Sequence, residues 1–186
     1  MQFAPMALGL ALAAAPAARA DEIAATLRSA LAAYEAGNDT AAQQDIAIAQ
    51  QLLQAKKGAA FGAFLPEAPA GYTRTVNTDM NAALMMMGGG TGAEARYDGE
   101  AGSFTITMTA DNPMMMGFVG MFANPALMAQ MGKVTRIGSQ MVLDQNGELT
   151  AVVDNRILVQ ASGGDAGAMM AAMQAMDFAG LANFGR

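Results

Sequence analysis

The sequence of 186 residues contains no histidine, no cysteine and no tryptophan. Histidine is the side chain that most readily exchanges protons near neutral pH, and cysteine supplies a thiolate nucleophile. Without histidine the four serines cannot form a Ser-His-Asp triad, and without cysteine the fold has no disulfide. We therefore expect that the protein is not an enzyme, with no catalytic residues and no resident cofactor.

Basic residues are also scarce. Ten lysines and arginines, only three of them lysine, stand against sixteen acidic residues, and the net charge is −6. Nucleic acids require a basic surface for their phosphates, and anionic membranes attract basic segments. We expect neither nucleic acid nor an anionic membrane surface among the partners.

The first 20 residues have the pattern of a secretory signal peptide, although no basic residue precedes the apolar run 5–15. Ala18 and Ala20 place small residues where a signal peptidase reads them, and a charged segment starts at Asp21. The run is too short to span a bilayer as a stable helix. We expect a cleaved signal peptide over 1–20, a periplasmic location and no stable membrane insertion.

Residues 21–57 predict an αα-hairpin with a turn at Gly37 and Asn38. Asp21 is a candidate N-cap for the first helix, and Asp39 or Thr40 for the second. The apolar residues at helical spacing are Ile23, Leu27, Ala30, Leu31 and Tyr34 in the first helix, then Ala42, Ile46, Ala49 and Leu53 in the second.

The second half of this hairpin resembles a tetratricopeptide unit, with Gly37, Ala42, Ile46 and Ala49 at matching offsets. Asp39 stands where that motif has an aromatic residue. The resemblance covers one hairpin, whereas a solenoid needs at least three repeats. We therefore expect a single helical hairpin that serves for docking, and not a solenoid of repeated hairpins.

The stretch "LPEAPAGY" lies in a predicted linker, residues 58–71, and the pattern then changes from helix to strand over 72–186. In "SFTITMTA" Phe104, Ile106 and Met108 alternate with threonines, which is typical of an antiparallel sheet with one buried and one wet face. Asn146-Gly147 predicts a tight hairpin inside 141–153. Further strands are predicted at 72–77, 92–98, 133–138 and 156–161, and a closing helix at 165–176.

The predicted fold class is α+β: an N-terminal αα-hairpin, then an antiparallel sheet of about six strands with a methionine-rich helical insertion and a C-terminal helix. The hairpin, the "LPEAPAGY" linker, the sheet strand "NRILV" and the closing Asp177-Phe178 resemble uncharacterised exported bacterial proteins. That resemblance implies the fold and the compartment, and no activity.

Two glycine runs, at 85–92 and 162–167, could cradle a phosphate, and Asp98 with Glu100 could form a carboxylate pair. The runs lack the adjacent lysine and hydroxyl residue that end a P-loop, so flexible connections are the better interpretation. Asp98-Gly99-Glu100 is better interpreted as a turn between strands.

The insertion is unusual because no charged residue occurs between Asp111 and Lys133, and six of the 18 methionines lie there. A surface helix normally carries charge on its outer face. The segment 113–131 is therefore either buried on all sides or presents an apolar surface to a partner, ligand or membrane. The candidate interaction surface comprises Phe118, Met121, Phe122 and Leu127.

Methionine also permits a metal hypothesis, because thioether sulfur is a soft ligand that selects Cu(I). The same helical spacing is typical of core packing, and methionine is an adaptable core filler. The candidate ligands are Met114, Met128, Met131, Met169, Met173 and Met176.

Three functions stay open on the sequence. The first is a non-enzymatic exported binding or assembly module whose partner is another envelope protein. The second is a methionine-based Cu(I)-binding or methionine-sacrificial periplasmic protein. The third is a carrier of an apolar ligand beneath the insertion.

Overall fold

The computed structural model describes residues 15–77, 79–122 and 124–186, with side chains from Asp21 onward except those of Ala82, Met116 and Phe118. The chain forms two compact units, Met1–Lys56 and Lys57–Arg186. Residues 1–14, the larger part of the predicted signal peptide, lie outside the described residues.

The first unit contains helix α1 (Ala15–Glu35) and most of α2 (Asp39–Gly62). Gly37 adopts a φ of +74°, and the side chain of Asn38 accepts a hydrogen bond of 3.1 Å from the Ala41 amide. Asn38 therefore caps α2, and the predicted caps Asp39 and Thr40 are wrong. Asp21 is likewise not a cap, because α1 already includes it.

Only part of the predicted apolar stripe in this hairpin is buried. Its buried members are mainly small, namely Ile23, Ala30, Ala42 and Ala49, whereas Leu27, Leu31, Tyr34, Ile46 and Leu53 are exposed. Helical spacing alone cannot distinguish the row that is buried from a neighbouring row that faces outward.

Helix α2 extends beyond the predicted end at residue 57 and reaches Gly62, so the predicted linker 58–71 is shorter than expected. A Cβ at Gly58 would lie 2.5 Å from Nδ2 of Asn81, so glycine is required for the close approach of α2 to the Asn81 side chain. The helix continues past Gly58. Phe61 in this last part of α2 is fully buried.

The second unit is built on a seven-stranded sheet in which every neighbouring pair is antiparallel. The strand order is β1-β2-β3-β7-β6-β5-β4. The strands are β1 (Tyr72–Asn77), β2 (Thr91–Gly99), β3 (Gly102–Ala110), β4 (Lys133–Ile137), β5 (Gln140–Gln145), β6 (Glu148–Val153) and β7 (Ile157–Ser162). The α+β prediction is confirmed, with seven strands in place of about six.

The first face of the sheet carries the main core. Phe104, Ile106 and Met108 are at most 1% exposed there, as their alternation predicts. They pack with residues of α6 (Ala166–Gln174) and α7 (Phe178–Ala182). The closing helix predicted at 165–176 is α6, and α7 is a further helix that starts where the side chain of Asp177 accepts a hydrogen bond from the Gly180 amide.

Side chains of β1 and β2 hold the linker against this face of the sheet by hydrogen bonds. The hydroxyl of Tyr97 donates a hydrogen bond of 2.7 Å to the carbonyl of Pro66. Arg74 donates to the carbonyls of Leu65 and Pro66 at 2.8 and 3.0 Å, and it also pairs with Glu67. The segment "LPEAPAGY" is therefore an ordered part of the second unit.

The second face of the sheet carries three short helices, α3 (Met80–Met86), α4 (Met116–Phe122) and α5 (Pro125–Met131). Helix α3 was not predicted; it contacts β2, where a Cβ at Gly92 would lie 2.6 Å from Leu84. Helix α4 contacts β6, and α5 contacts β4 and β5. Beneath them Leu143 and Leu158 are buried, so the expectation of one uniformly wet face is wrong for this half of the sheet.

No helix in the described ranges is both long enough and apolar enough to cross a membrane.

Candidate functional site

A cleft of about 410 Å³ lies between helices α4 and α5 and the second face of the sheet. We refer to the two helices, together with Met114 and Met115 just before α4, as the roof, and to strands β5–β7 as the floor. The roof contributes Met115, Met121, Phe122 and Met131, and the floor contributes Gln145, Glu148, Thr150, Leu158 and Gln160.

The start of the roof is held by one buried side chain, Asn112, which is only 3% exposed. Its Oδ1 accepts hydrogen bonds from the amides of Met114 and Met115 at 3.0 and 3.2 Å. Its Nδ2 donates to the carbonyls of Gly89 and Met87 at 2.6 and 3.4 Å. One amide thus joins the roof to the loop that follows α3.

The glycine run at 88–90 provides the shape of that loop. All three glycines have positive φ, and a Cβ at Gly90 would lie 2.8 Å from the carbonyl oxygen of Ala110. The run therefore lets the backbone pass close to the end of β3 and bring its carbonyls to Asn112.

The second helix of the roof, α5, has a capped start. Asn124 accepts a hydrogen bond of 3.0 Å from the Ala126 amide, and Pro125 occupies the first turn of α5. This combination fixes where α5 begins, because proline is pre-organised for the first helical turn. Helix α5 therefore runs from Pro125 to Met131, and Gly132 follows its last residue.

The roof is partly buried and partly exposed. Val119 and Met128 are 5% and 1% exposed and anchor it, whereas Met114, Met121 and Leu127 are 62%, 45% and 44% exposed. The segment 113–131 is therefore not buried on all sides, and it presents an apolar outer surface. Of the predicted interaction residues, Met121 and Leu127 lie on that surface, Phe122 is half-buried, and the side chain of Phe118 lies outside the described residues.

The floor is polar at its centre. Thr150 and Gln160 are register partners on β6 and β7, and Leu158 lies beside them. The Gln160 amide donates a hydrogen bond of 2.9 Å to the carboxylate of Glu148, the exposed first residue of β6. The cleft thus offers an apolar roof, a buried Thr150 and Leu158, and a carboxylate at its mouth.

A second, smaller cavity of about 290 Å³ lies on the other side of Phe122. It is lined by Phe122, Met128, Ser139, Gln140, Met141, Val152 and Asn155. Phe122 lines both cavities, so a change in its side-chain position alters the space in each of them.

The six candidate thioether ligands do not meet at one place. Met169, Met173 and Met176 are buried in the core on the first face of the sheet, whereas Met128 packs under α5 on the second face. Met131 lines the cleft and Met114 is largely exposed. A Cu(I) site would have to use a smaller set, such as Met128 with Met131. The described ranges hold no group of three His, Cys, Asp or Glu placed to bind a metal ion.

Three pKa shifts lie away from the cleft. The hydrogen bond from Ser103 and the contact with Arg96 lower the pKa of Asp98. Asp98 lies near the end of β2, so of the turn predicted at Asp98–Glu100 only Glu100 is in the turn. Arg186 and Arg156 lower the pKa of Asp154. Burial raises the pKa of Tyr97 to about 12.

The floor residues were not identified from the sequence. Their strands were predicted, but a site between a roof and a floor depends on which strands pair and on which face the roof covers. The available signal was the period of two along β6 and β7, which places Thr150 and Val152 on one face of β6 and Leu158 and Gln160 on one face of β7.

No protein-family model matches this chain, and no match was found among curated proteins or solved structures. Its function must therefore be inferred from the chemistry of its own residues.

Proposed function

We propose that this chain is an exported, non-enzymatic binding protein that holds the apolar part of a ligand in the cleft. One observation carries the proposal: an uncharged methionine-lined roof stands over a sheet face and leaves about 410 Å³ between them. That volume lies within the range of small-molecule sites, about 300–1,000 Å³. Ligand pockets are typically apolar with a few polar groups, which agrees with Thr150, Gln160 and Glu148 in the floor.

The residue types of the roof support binding over mere packing. Methionine has three rotatable bonds and a polarizable sulfur, so Met115, Met121 and Met131 can adapt to ligands of different shape. All three are partly or largely accessible, unlike the buried anchors Val119 and Met128. An apolar ligand would cover side chains that are otherwise hydrated.

Export and the absence of catalysis are supported by the sequence. The signal pattern over 1–20 supports a periplasmic location, and the lack of histidine and cysteine supports a binding role. The acidic surface supports the exclusion of nucleic acid as a partner.

The proposal can be tested by labelling the methionine methyl groups with carbon-13 and titrating the full chain with a dodecyl-chain amphiphile below its micelle concentration. We expect the methyl resonances of Met115, Met121 and Met131 to shift. Those of Met169 and Met173, in the core on the opposite face, are the internal control and should stay in place. Shifts confined to the control methyls, or no shift with any amphiphile, would contradict the proposal.

A second candidate function, docking of another envelope protein, is supported by the exposed apolar side chains of the first unit. Leu31 and Tyr34 of α1 are 56% and 67% exposed, and Ile46 and Leu53 of α2 are 45% and 47% exposed. Exposed apolar patches often mark partner surfaces. A pull-down from an envelope fraction should recover a partner with the native chain and lose it with the Leu31→Gln and Tyr34→Gln double variant. A matched variant in the second unit, Val76→Gln, changes another exposed apolar residue and should retain the partner.

A further inference from the structure

The cleft carries charge at a single point among the residues described around it. Glu148 is the one ionisable residue of its lining, beside the neutral Gln145, Thr150, Leu158 and Gln160 of the floor. The roof cannot add a charge, since no residue between Asp111 and Lys133 is ionisable. The absence of charge applies to every side chain of the roof, because it is a property of the amino-acid sequence.

The carboxylate of Glu148 is held in place but is not neutralised. Gln160 donates to its Oε1 at 2.9 Å, which orients the carboxylate over the floor, and a carboxylate can accept several further hydrogen bonds. Within the described part of the chain Glu148 takes part in no salt bridge. An oriented carboxylate beside an apolar space attracts a cation and repels an anion.

We propose that the ligand is a cationic amphiphile, with an alkyl body under the methionine roof and an amine or quaternary ammonium head at Glu148. This inference rests on the proposed function of the cleft and adds the charge of the ligand. A fatty acid fits poorly, because its carboxylate would meet Glu148 with no basic residue among the lining residues. The net charge of −6 adds to that repulsion.

The test compares three probes with the same alkyl chain in the full-length protein: dodecyltrimethylammonium, dodecyl maltoside and dodecanoate. Dissociation constants are read from the methyl shifts of Met115, Met121 and Met131 at neutral pH and moderate salt. We expect the cation to bind about tenfold more tightly than the carboxylate, with the neutral probe between them. A tenfold ratio of dissociation constants corresponds to about 1.4 kcal/mol.

Two matched variants test whether Glu148 causes the preference for the cationic probe. Glu148→Gln keeps the shape and can still accept the hydrogen bond from Gln160, but it removes the charge. Glu94→Gln removes the same charge on the same sheet face, where Glu94 contacts Thr107 at 3.5 Å and does not line the cleft. We expect the cation preference to fall below about threefold in Glu148→Gln and to stay near tenfold in Glu94→Gln.

Other outcomes would overturn either the cationic ligand alone or the proposed function with it. Equal binding of all three probes, or tightest binding of dodecanoate, would overturn the cationic ligand and leave the proposed function intact. A preference that survives Glu148→Gln would assign it to net charge and would also overturn the inference. Failure of every probe to shift the roof methyls would overturn the proposed function together with it.

Discussion

The Asn112 amide donates a hydrogen bond of 2.6 Å to the carbonyl oxygen of Gly89 and so connects the start of the roof to the glycine run after α3. The glycine run after α3 and the start of the roof are separate in the sequence. Through Asn112, which is almost fully buried, they become one structural element over the second face of the sheet.

We expect Asn112→Ala to destabilise the protein by about 1–3 kcal/mol, because it leaves buried backbone groups without their partners. Ligand affinity at the cleft should fall as well, since the roof loses its attachment. Urea unfolding and the methyl titration measure the two effects. Asn183→Ala, which removes an exposed hydrogen bond to Ala179, should cost much less. Equal costs would show that Asn112 does not hold the roof.

The alternation along β3 leads to a second prediction. Ile106→Ala should cost roughly 2–5 kcal/mol in free energy of unfolding, because Ile106 is fully buried and its loss leaves a cavity. Thr107→Ala, on the other face, is half-buried and should stay nearer to ordinary surface effects. Chemical denaturation of both variants measures the difference, and similar losses would contradict the assignment of the two faces.

Tyr97 predicts a dependence of stability on alkaline pH. Burial raises its pKa from 10.0 to about 12, so the folded state holds the proton more tightly than the unfolded state does. The stability that Tyr97 contributes is fully present below pH 10 and is lost as the pH rises towards 12.

We therefore expect the unfolding free energy of Tyr97→Phe to fall less steeply than that of the native protein between pH 10 and 12. At neutral pH the variant should be less stable, because the hydrogen bond of Tyr97 to Pro66 is lost. Denaturant titrations at a series of pH values measure both effects. Identical slopes for Tyr97→Phe and the native chain would refute the assignment.

Replacement of Met128 and Met131 distinguishes the packing hypothesis from the metal-binding hypothesis. If the two residues only pack, replacing both by leucine should cost under about 1.5 kcal/mol each and change no metal affinity. Silver(I), a soft ion that is stable in air, can be titrated in place of Cu(I). We expect weak, graded binding by exposed thioethers such as Met114 in both proteins. Tight one-to-one binding that vanishes in the double variant would establish the metal site instead.

Export predicts a specific N-terminus. If residues 1–20 are a cleaved signal peptide, the mature protein isolated from the periplasm should begin at Asp21. Mass spectrometry of the intact protein identifies the N-terminal residue from the mass of the chain. Recovery of a cytosolic form that retains Met1 as the main species would contradict export.

Much of the fold could be predicted because its signals are local. Phe104, Ile106 and Met108 alternate with threonines, and Asn146-Gly147 forms the predicted turn with φ values of +55° and +83°. These patterns depend on side-chain direction and on backbone conformations that particular residues favour. Helix α3 was missed, because it lacks the start signal of α5, an asparagine cap followed by proline, and the side chain of its own N-cap Asp79 makes no capping hydrogen bond.

The amino-acid sequence by itself determined the approximate positions of most strands, the uncharged character of the roof and the absence of histidine and cysteine chemistry. Only the tertiary structure decided that β3 pairs with β7, that the candidate metal ligands lie on opposite faces of the sheet, and that Glu148 lies at the mouth of a cleft. The physical reason is that composition and periodicity are properties of neighbouring residues, whereas a cleft arises where segments far apart in the chain meet. Strand pairing brings Glu148 to Gln160, and the covering helices bring Met115 and Met131 above them.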